Sequence, residues 1–200
     1  MKSDLEGLVA ASDAVRRGNL ICYPTDTVYG LGCDPLNPDA VARVFAAKER
    51  HDRAMPVLVG NVSDAAELVD FSQSARRLVA RFWPGSLTLV LPAKSVVPSI
   101  LVPEGTLGVR APKHAICQQL LGLCNGHLVG TSANLTGQAP ATCAQEIAAD
   151  LHDRVEVILD GGKSFAGVAS TVVDMTQRHL EVLREGPIAK MEILRCIRGK

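Results

Sequence analysis

Residues 20–32 read LICYPTDTVYGLG, and the character of the chain changes inside that stretch. Leu20, Ile21, Cys22 and Tyr23 form a short apolar run that predicts a buried strand. Pro24 ends it, because proline has no N–H for a ladder. Thr25, Asp26 and Thr27 then put two hydroxyls and a carboxylate into one turn before Tyr29 and Gly30. A buried strand that empties into a polar loop is a building unit of layered α/β proteins, and such loops carry binding and catalytic groups. The same residues would also serve a turn tied by side-chain hydrogen bonds.

The alternation continues in both directions. Upstream, Ser3-Asp4-Leu5-Glu6 is a capping box and Gly18 a stop, which predicts a helix between them. Downstream, Asn37-Pro38 reads as an N-cap with proline at the first helical position, and Val41, Val44 and Phe45 form the apolar stripe of a helix to about Lys48. Pro56 to Gly60 reads as a strand, and Ser74 to Phe82 as a helix ended by Trp83-Pro84-Gly85. Leu87, Leu89 and Leu91 alternate with Thr88 and Val90, the pattern of a largely buried strand. Strands are also expected at 107–110, 128–131, 155–159, 170–174 and 180–183. Helices are expected at 115–123, from Thr142 to about Leu151, and at about 188–197. The order is irregular and holds no linker. It predicts an α/β protein of the α+β kind, a single domain over residues 1–200, with a twisted open mixed sheet and flanking helices. No Gly-x-Gly-x-x-Gly or Walker loop is present, so side chains must supply much of any phosphate grip.

Composition excludes several classes. The 200 residues are 47% hydrophobic and 21% charged, too apolar for a disordered chain. Lys+Arg 21 balances Asp+Glu 21, which argues against a polyanion binder that relies on total charge, though not against a local basic cleft. No apolar run reaches the ~18 residues of a membrane span, and the N-terminus lacks the apolar core of a signal peptide. The 6 Cys form no Cys-x-x-Cys pair and several lie in apolar strings, which fits buried free thiols and a cytoplasmic location.

Further segments hold polar groups that a core would exclude. Lys48-Glu49-Arg50 closes the helix begun at Pro38, with Arg53 beyond it; Lys48 falls on the apolar face, where it either snorkels or reaches into a site. Cations there also complement the helix dipole. Thr131-Ser132-Ala133-Asn134-Leu135-Thr136-Gly137 leaves a strand as a polar loop. Ser170-Thr171-Val172-Val173-Asp174, Leu183-Arg184 and Gly108-Val109-Arg110 set polar groups at strand mouths, where either arginine would equally suit a structural ion pair.

Taken together and in order, these segments closely resemble the YrdC/TsaC family. The resemblance rests on residues 23–32, Lys48-x-Arg50, Trp83-Pro84-Gly85, Val109-Arg110-x-Pro112-x-His114, Ser132-Ala133-Asn134, 170–174 and Leu183-Arg184-x-Gly186, and covers about residues 5 to 190. The Lys-x-Arg and Ser-x-Asn pair is the family's signature, and related branches without its activity tend to lack one or both.

The resemblance implies a threonylcarbamoyl-AMP synthase of the short, single-domain form, with a concave basic face. Such enzymes join L-threonine, bicarbonate or CO2, and ATP, and release pyrophosphate. A threonylcarbamoyl transferase complex then carries the group to adenosine 37 of ANN-decoding tRNAs, the t6A modification. Tied to that role, tRNA or double-stranded RNA is a further candidate partner, and no membrane is expected. By motif match, Lys48 and Arg50 would face the triphosphate as the catalytic cations, and Asn134 and Arg184 would also hold ATP. Arg110 would clamp the threonine carboxylate, which suits its planar fork. Thr25, Ser132 and Ser170 would contact threonine, with Thr27 open as an alternative to Thr25. Mg2+ would arrive with ATP rather than in a dedicated carboxylate cage, with Asp26 the nearest candidate for a water-mediated contact.

The chain departs from the family pattern at His51, where Pro is common, at Gly60, where the strand often ends in His, and at Glu185, which stands in an Arg-Pro-Gly position and is expected to point outward. The competing reading is a non-catalytic RNA-binding protein that uses the basic face. Balanced charge and few aromatics (Phe 4, Trp 1, Tyr 2) weaken it, because single-strand binders favour stacking platforms. A third reading is an adenylate-forming domain like those embedded in larger carbamoyltransferases.

Overall fold

Asp4, not Ser3, caps the first helix: its carboxylate accepts from Gly7 N at 3.0 Å and opens α1 (Leu5–Arg16). The computed structural model describes residues 1–49, 55–102, 104–135, 137–147, 149–177 and 179–198. After β1 (Ile21–Tyr23) and β2 (Gly30–Gly32), Asn37 Oδ1 accepts from the N–H groups of Asp39 and Ala40 and starts α2 (Pro38–Ala47). There follow β3 (Val57–Val59), α3 (Val62–Leu68), α4 (Gln73–Phe82), β4 (Leu87–Pro92), β5 (Thr106–Arg110) and α5 (Ala115–Leu123). The chain continues through β6 (His127–Val129), β7 (Thr131–Ser132), α6 (Ala149–His152), β8 (Val157–Ile158), β9 (Thr171–Asp174), β10 (Glu181–Arg184) and α7 (Lys190–Arg198). No helix among the described residues is long and apolar enough to cross a membrane.

The mixed α/β architecture with flanking helices matches the sequence pattern, but the strands divide between two mixed sheets. The larger has the order β10-β9-β4-β5-β3-β6 and the smaller β7-β2-β1-β8. Gly130 makes the division. β6 pairs with β3 in the larger sheet, β7 pairs with β2 in the smaller, and Gly130 is the residue between them. A Cβ there would stand 2.4 Å from Leu58 Cγ, so only glycine lets the strand change sheets at that point. The sheets stay stitched at this corner: Val129 N donates to Cys33 O at 2.9 Å and Tyr23 Oη donates to Val129 O at 2.7 Å.

The larger sheet puts its two faces to different uses. Leu87, Leu89 and Leu91 of β4, Leu107 and Val109 of β5, Val57 and Val59 of β3 and Val173 of β9 lie in the main core with Val41 and Val44 of α2 and Leu78 of α4. A second core joins Leu8 and Val15 of α1 to Ile21 and Tyr23 of β1 and to Leu120 and Leu121 of α5. The alternate residues of the larger sheet face the smaller one, and there a cavity lies between the two sheets.

Candidate active site

Period-two alternation builds the floor of that cavity. Thr88 and Val90 of β4, Thr106, Gly108 and Arg110 of β5, Leu58 of β3 and Val172 of β9 line a space of about 330 Å3. Val90 lies opposite Gly108, and Leu58 opposite Arg110, so the side chains on one face meet across the ladders. The other wall comes from the smaller sheet and its loops: Thr25, Thr27, Tyr29, Gly30, Thr131 and Ser132. At the edge, β10 is irregular. Val182 pairs with Val173 but Arg184 pairs with Val172, so Leu183 is an extra residue. Such a bulge re-aims a side chain, and both Leu183 and Arg184 line the cavity.

Arg110 is the buried charge of the site, only 3% exposed at the end of β5. Its Nη2 donates to Asp26 Oδ1 at 3.0 Å and its Nη1 to Thr27 Oγ1 at 2.9 Å. Its Nε has no hydrogen-bond partner among the described residues. Arg184 faces the same cavity. Its Nε donates to Ser170 O at 3.0 Å and its Nη2 to Ser170 Oγ at 3.3 Å, and Ser170 Oγ shares a hydrogen with Thr88 Oγ1 at 2.8 Å. Desolvation first, and then the Arg110 charge, pull Arg184 below the usual arginine value. Glu185 is exposed.

The hydroxyls of the 24–29 loop can be counted. Thr25 Oγ1 gives its hydrogen to Val28 O at 2.6 Å and accepts from Thr27 N at 3.1 Å. The 3.0 Å contact between the two hydroxyls then has Thr27 as donor, which fills Thr25. Thr27 Oγ1 keeps one lone pair beside its bond from Arg110. The inventory favours Thr27 over Thr25 as the acceptor offered to a ligand.

Lys48 is 3% exposed and does not line the cavity. Its Nζ donates to Ser132 O at 2.6 Å and to Asn134 O at 2.7 Å, which ties the end of α2 to the 131–134 loop. Asn134 Nδ2 donates to Leu135 O at 2.9 Å and to Gln138 O at 2.8 Å; its Oδ1 is buried with no partner among the described residues. Arg50, His51 and Arg53 lie outside the described residues. Of the expected residues, the structure therefore gathers Thr25, Arg110, Ser132, Ser170 and Arg184 around one cavity, and links Lys48 and Asn134 to its rim. Sequence reasoning passed over Thr88 and Thr106. A hydroxyl inside a buried strand was the available signal for Thr88, but there it reads equally as strand alternation.

The family model named Sua5_yciO_yrdC, described as "Telomere recombination", matches residues 13–186. The chain belongs to this Sua5/YciO/YrdC family. Within it, the threonylcarbamoyl-AMP synthase of Pyrococcus abyssi is 38% identical over 190 residues, which cover 94% of this chain and 56% of that protein. The threonylcarbamoyl-AMP synthase of Vibrio cholerae is 36% identical over 187 residues, 91% of this chain and 98% of its own length. The chain thus spans little more than half of the Pyrococcus relative and nearly all of the Vibrio one. Among solved structures, P. abyssi Sua5 complexed with L-threonine superposes with a TM-score of 0.92 at 37% identity, covering 95% of this chain and 57% of that one.

Proposed function

We propose that this protein is a threonylcarbamoyl-AMP synthase, with residues 1–200 forming one YrdC-like domain. The names of its relatives favour an enzyme over a non-catalytic RNA-binding protein. The observation that carries the reading is the pair of guanidiniums, Arg110 and Arg184, facing one cavity among threonine and serine hydroxyls. Such a site suits two anions held side by side.

Arg110 would take the threonine carboxylate. Thr27, supported by Thr25, and Ser132 and Ser170 would meet the amine and hydroxyl. A site that bonds the substrate hydroxyl rejects valine far better than an apolar pocket can. The threonine amine adds to CO2 or dehydrated bicarbonate, loses a proton and becomes a carbamate. A carbamate oxygen then attacks the α-phosphorus of ATP, and the bond to the β-phosphate oxygen breaks to release pyrophosphate. No covalent protein intermediate is needed, so the protein contributes positioning and charge. Lys48, Arg50, Asn134 and Arg184 would hold the ATP side, with Lys48 acting on the triphosphate in concert with the loop it anchors.

Among the described residues no three His, Cys, Asp or Glu side chains gather as a metal site. We assign Mg2+ to the ATP substrate, with which it would arrive. A cytoplasmic location, a transferase complex as recipient and tRNA as the final target complete the proposal.

The test is pyrophosphate release from ATP and bicarbonate with and without L-threonine, with L-serine and L-valine as controls. Threonine-dependent release is expected. Release indifferent to the amino acid, or none from folded protein, would overturn the assignment.

A further inference from the structure

Asp26 is a buried carboxylate that the reaction itself does not require. It is 8% exposed and stands behind the cavity wall rather than lining it. Both oxygens are engaged: Oδ1 accepts from Arg110 Nη2 at 3.0 Å, and Oδ2 accepts from Ser86 Oγ at 3.2 Å. Ser86 is itself pinned to the larger sheet. Thr171 N donates to Ser86 O at 3.0 Å, and the preceding Gly85 N donates to Ala111 O at 2.8 Å. Asp26 belongs to the loop that follows β1 of the smaller sheet, and its backbone carbonyl accepts from Ala166 N at 3.1 Å. One carboxylate therefore joins the two sheets at the place where the guanidinium emerges.

Two consequences follow for Arg110. A guanidinium has five N–H donors in a rigid plane. Asp26 and Thr27 take one hydrogen each from Nη2 and Nη1, which fixes the rotation of the plane and leaves a second hydrogen on each nitrogen. The charge is also balanced locally. Arg110 and Arg184 share a cavity, and two like charges there repel through a medium less polar than water. A carboxylate 3.0 Å behind Arg110 offsets that repulsion before any ligand enters.

We infer that Asp26 is a positioning residue for threonine recognition: it sets the plane of the Arg110 guanidinium and offsets its charge so that Arg110 and Arg184 can face one cavity. Ser86 completes the device by holding the second carboxylate oxygen. The inference rests on the proposed function and adds the residue that orients its carboxylate clamp.

The experiment is calorimetric titration of L-threonine into wild type, Asp26→Asn and Ser86→Ala, with threonine and ATP KM measured alongside. Asp26→Asn keeps an oxygen for Arg110 but loses the charge and one acceptor. It is expected to weaken threonine binding by about 10-fold or more, since a small misplacement of a binding group is costly. Ser86→Ala should move threonine affinity the same way by roughly twofold to fivefold, the loss of one modest hydrogen bond. ATP KM should stay within about twofold in both, a split that general loosening of the fold would not produce. Unchanged threonine affinity in folded Asp26→Asn overturns the inference, as does an ATP KM that rises as far as the threonine KM. If Asp26→Asn does not fold, Ser86→Ala decides, and unchanged threonine affinity there overturns it. Wild type that binds no threonine would bring down the proposed function itself.

Discussion

Lys48→Met removes a buried ammonium from two short hydrogen bonds, 2.6 Å to Ser132 O and 2.7 Å to Asn134 O. A hydrogen bond from a charged donor contributes about 1.5–3 kcal/mol; Ser132 O keeps its bond from Asn134 N at 2.9 Å, so the desolvation cost of a carbonyl that loses its donor falls on Asn134 O. Removing the ammonium also relieves the cost of burying a charge, which offsets part of the loss. The net destabilisation is about 2–4 kcal/mol. A chain of this size loses roughly 2–4 °C of Tm per kcal/mol, so melting should fall by on the order of 10 °C. Function should fall with it, because the loop that loses its anchor carries Ser132 and Asn134. Threonine and ATP KM should both rise, where a cation acting on the triphosphate alone would raise only the ATP KM. Thermal melting by circular dichroism, followed by kinetics below the melting range, makes the comparison. A Tm within about 2 °C of wild type would refute the anchoring role, as that is less than 1 kcal/mol on this scale.

Three further outcomes follow from other parts of the molecule. His114 caps α5 by accepting from Cys117 N at 3.4 Å, and burial holds its pKa below the usual 6.5 despite the opposing pull of Asp26. The unfolded chain then takes the proton first. The stability His114 contributes is present above about pH 6.5 and lost as pH falls through the region below it; in urea melts His114→Asn should flatten that decline, and an unaltered pH profile would count against it. Burial pushes the Cys22, Cys33 and Cys124 thiols up to about 12 and Cys117 higher still, whereas Cys143 and Cys196 are partly exposed. A thiol reagent should titrate two of the 6 cysteines quickly and the others only on unfolding, and three or more fast thiols would contradict the packing. Gly130→Ala should cost about 1–3 kcal/mol by overpacking against Leu58 and weaken threonine binding, because Leu58 lines the cavity; wild-type Tm and affinity would argue against the sheet-to-sheet corner.

The sequence carried much of this architecture, and its failures have physical causes. Asn37-Pro38 marked α2 because a side-chain cap and a proline N1 are local signals, and α5 lay where its apolar spacing put it. β2 was missed because two of its three residues are glycine and offer no side-chain pattern. The short α3 escaped although Asn61 caps it through Ser63 N and Asp64 N. Thr142 reads as a helix start, yet Glu146 Oε2 accepts from both Thr142 N and Thr142 Oγ1, at 2.6 and 2.7 Å. That closure is one residue too long for a capping box. It yields a 3-10 turn at Ala144–Glu146 and only a short α6 afterwards.

At the site, single motifs were ambiguous and their order was informative. Arg110 could be named because a family resemblance aligned it. The bonds that give it a role could not be read from the chain, since Asp26 and Ser86 lie 60 residues apart and Asp26 and Arg110 lie 84 apart. The division into two sheets was equally hidden. It depends on the fit of Gly130 against Leu58, a contact between segments with no shared pattern.

The most direct test of the account is the mass of the product formed from carbon-13 bicarbonate, L-threonine and ATP by the purified protein. The account predicts a threonylcarbamoyl adenylate that carries the label in its carbamoyl carbon, formed together with pyrophosphate. Pyrophosphate without labelled adenylate, or an unlabelled threonyl adenylate, would contradict it.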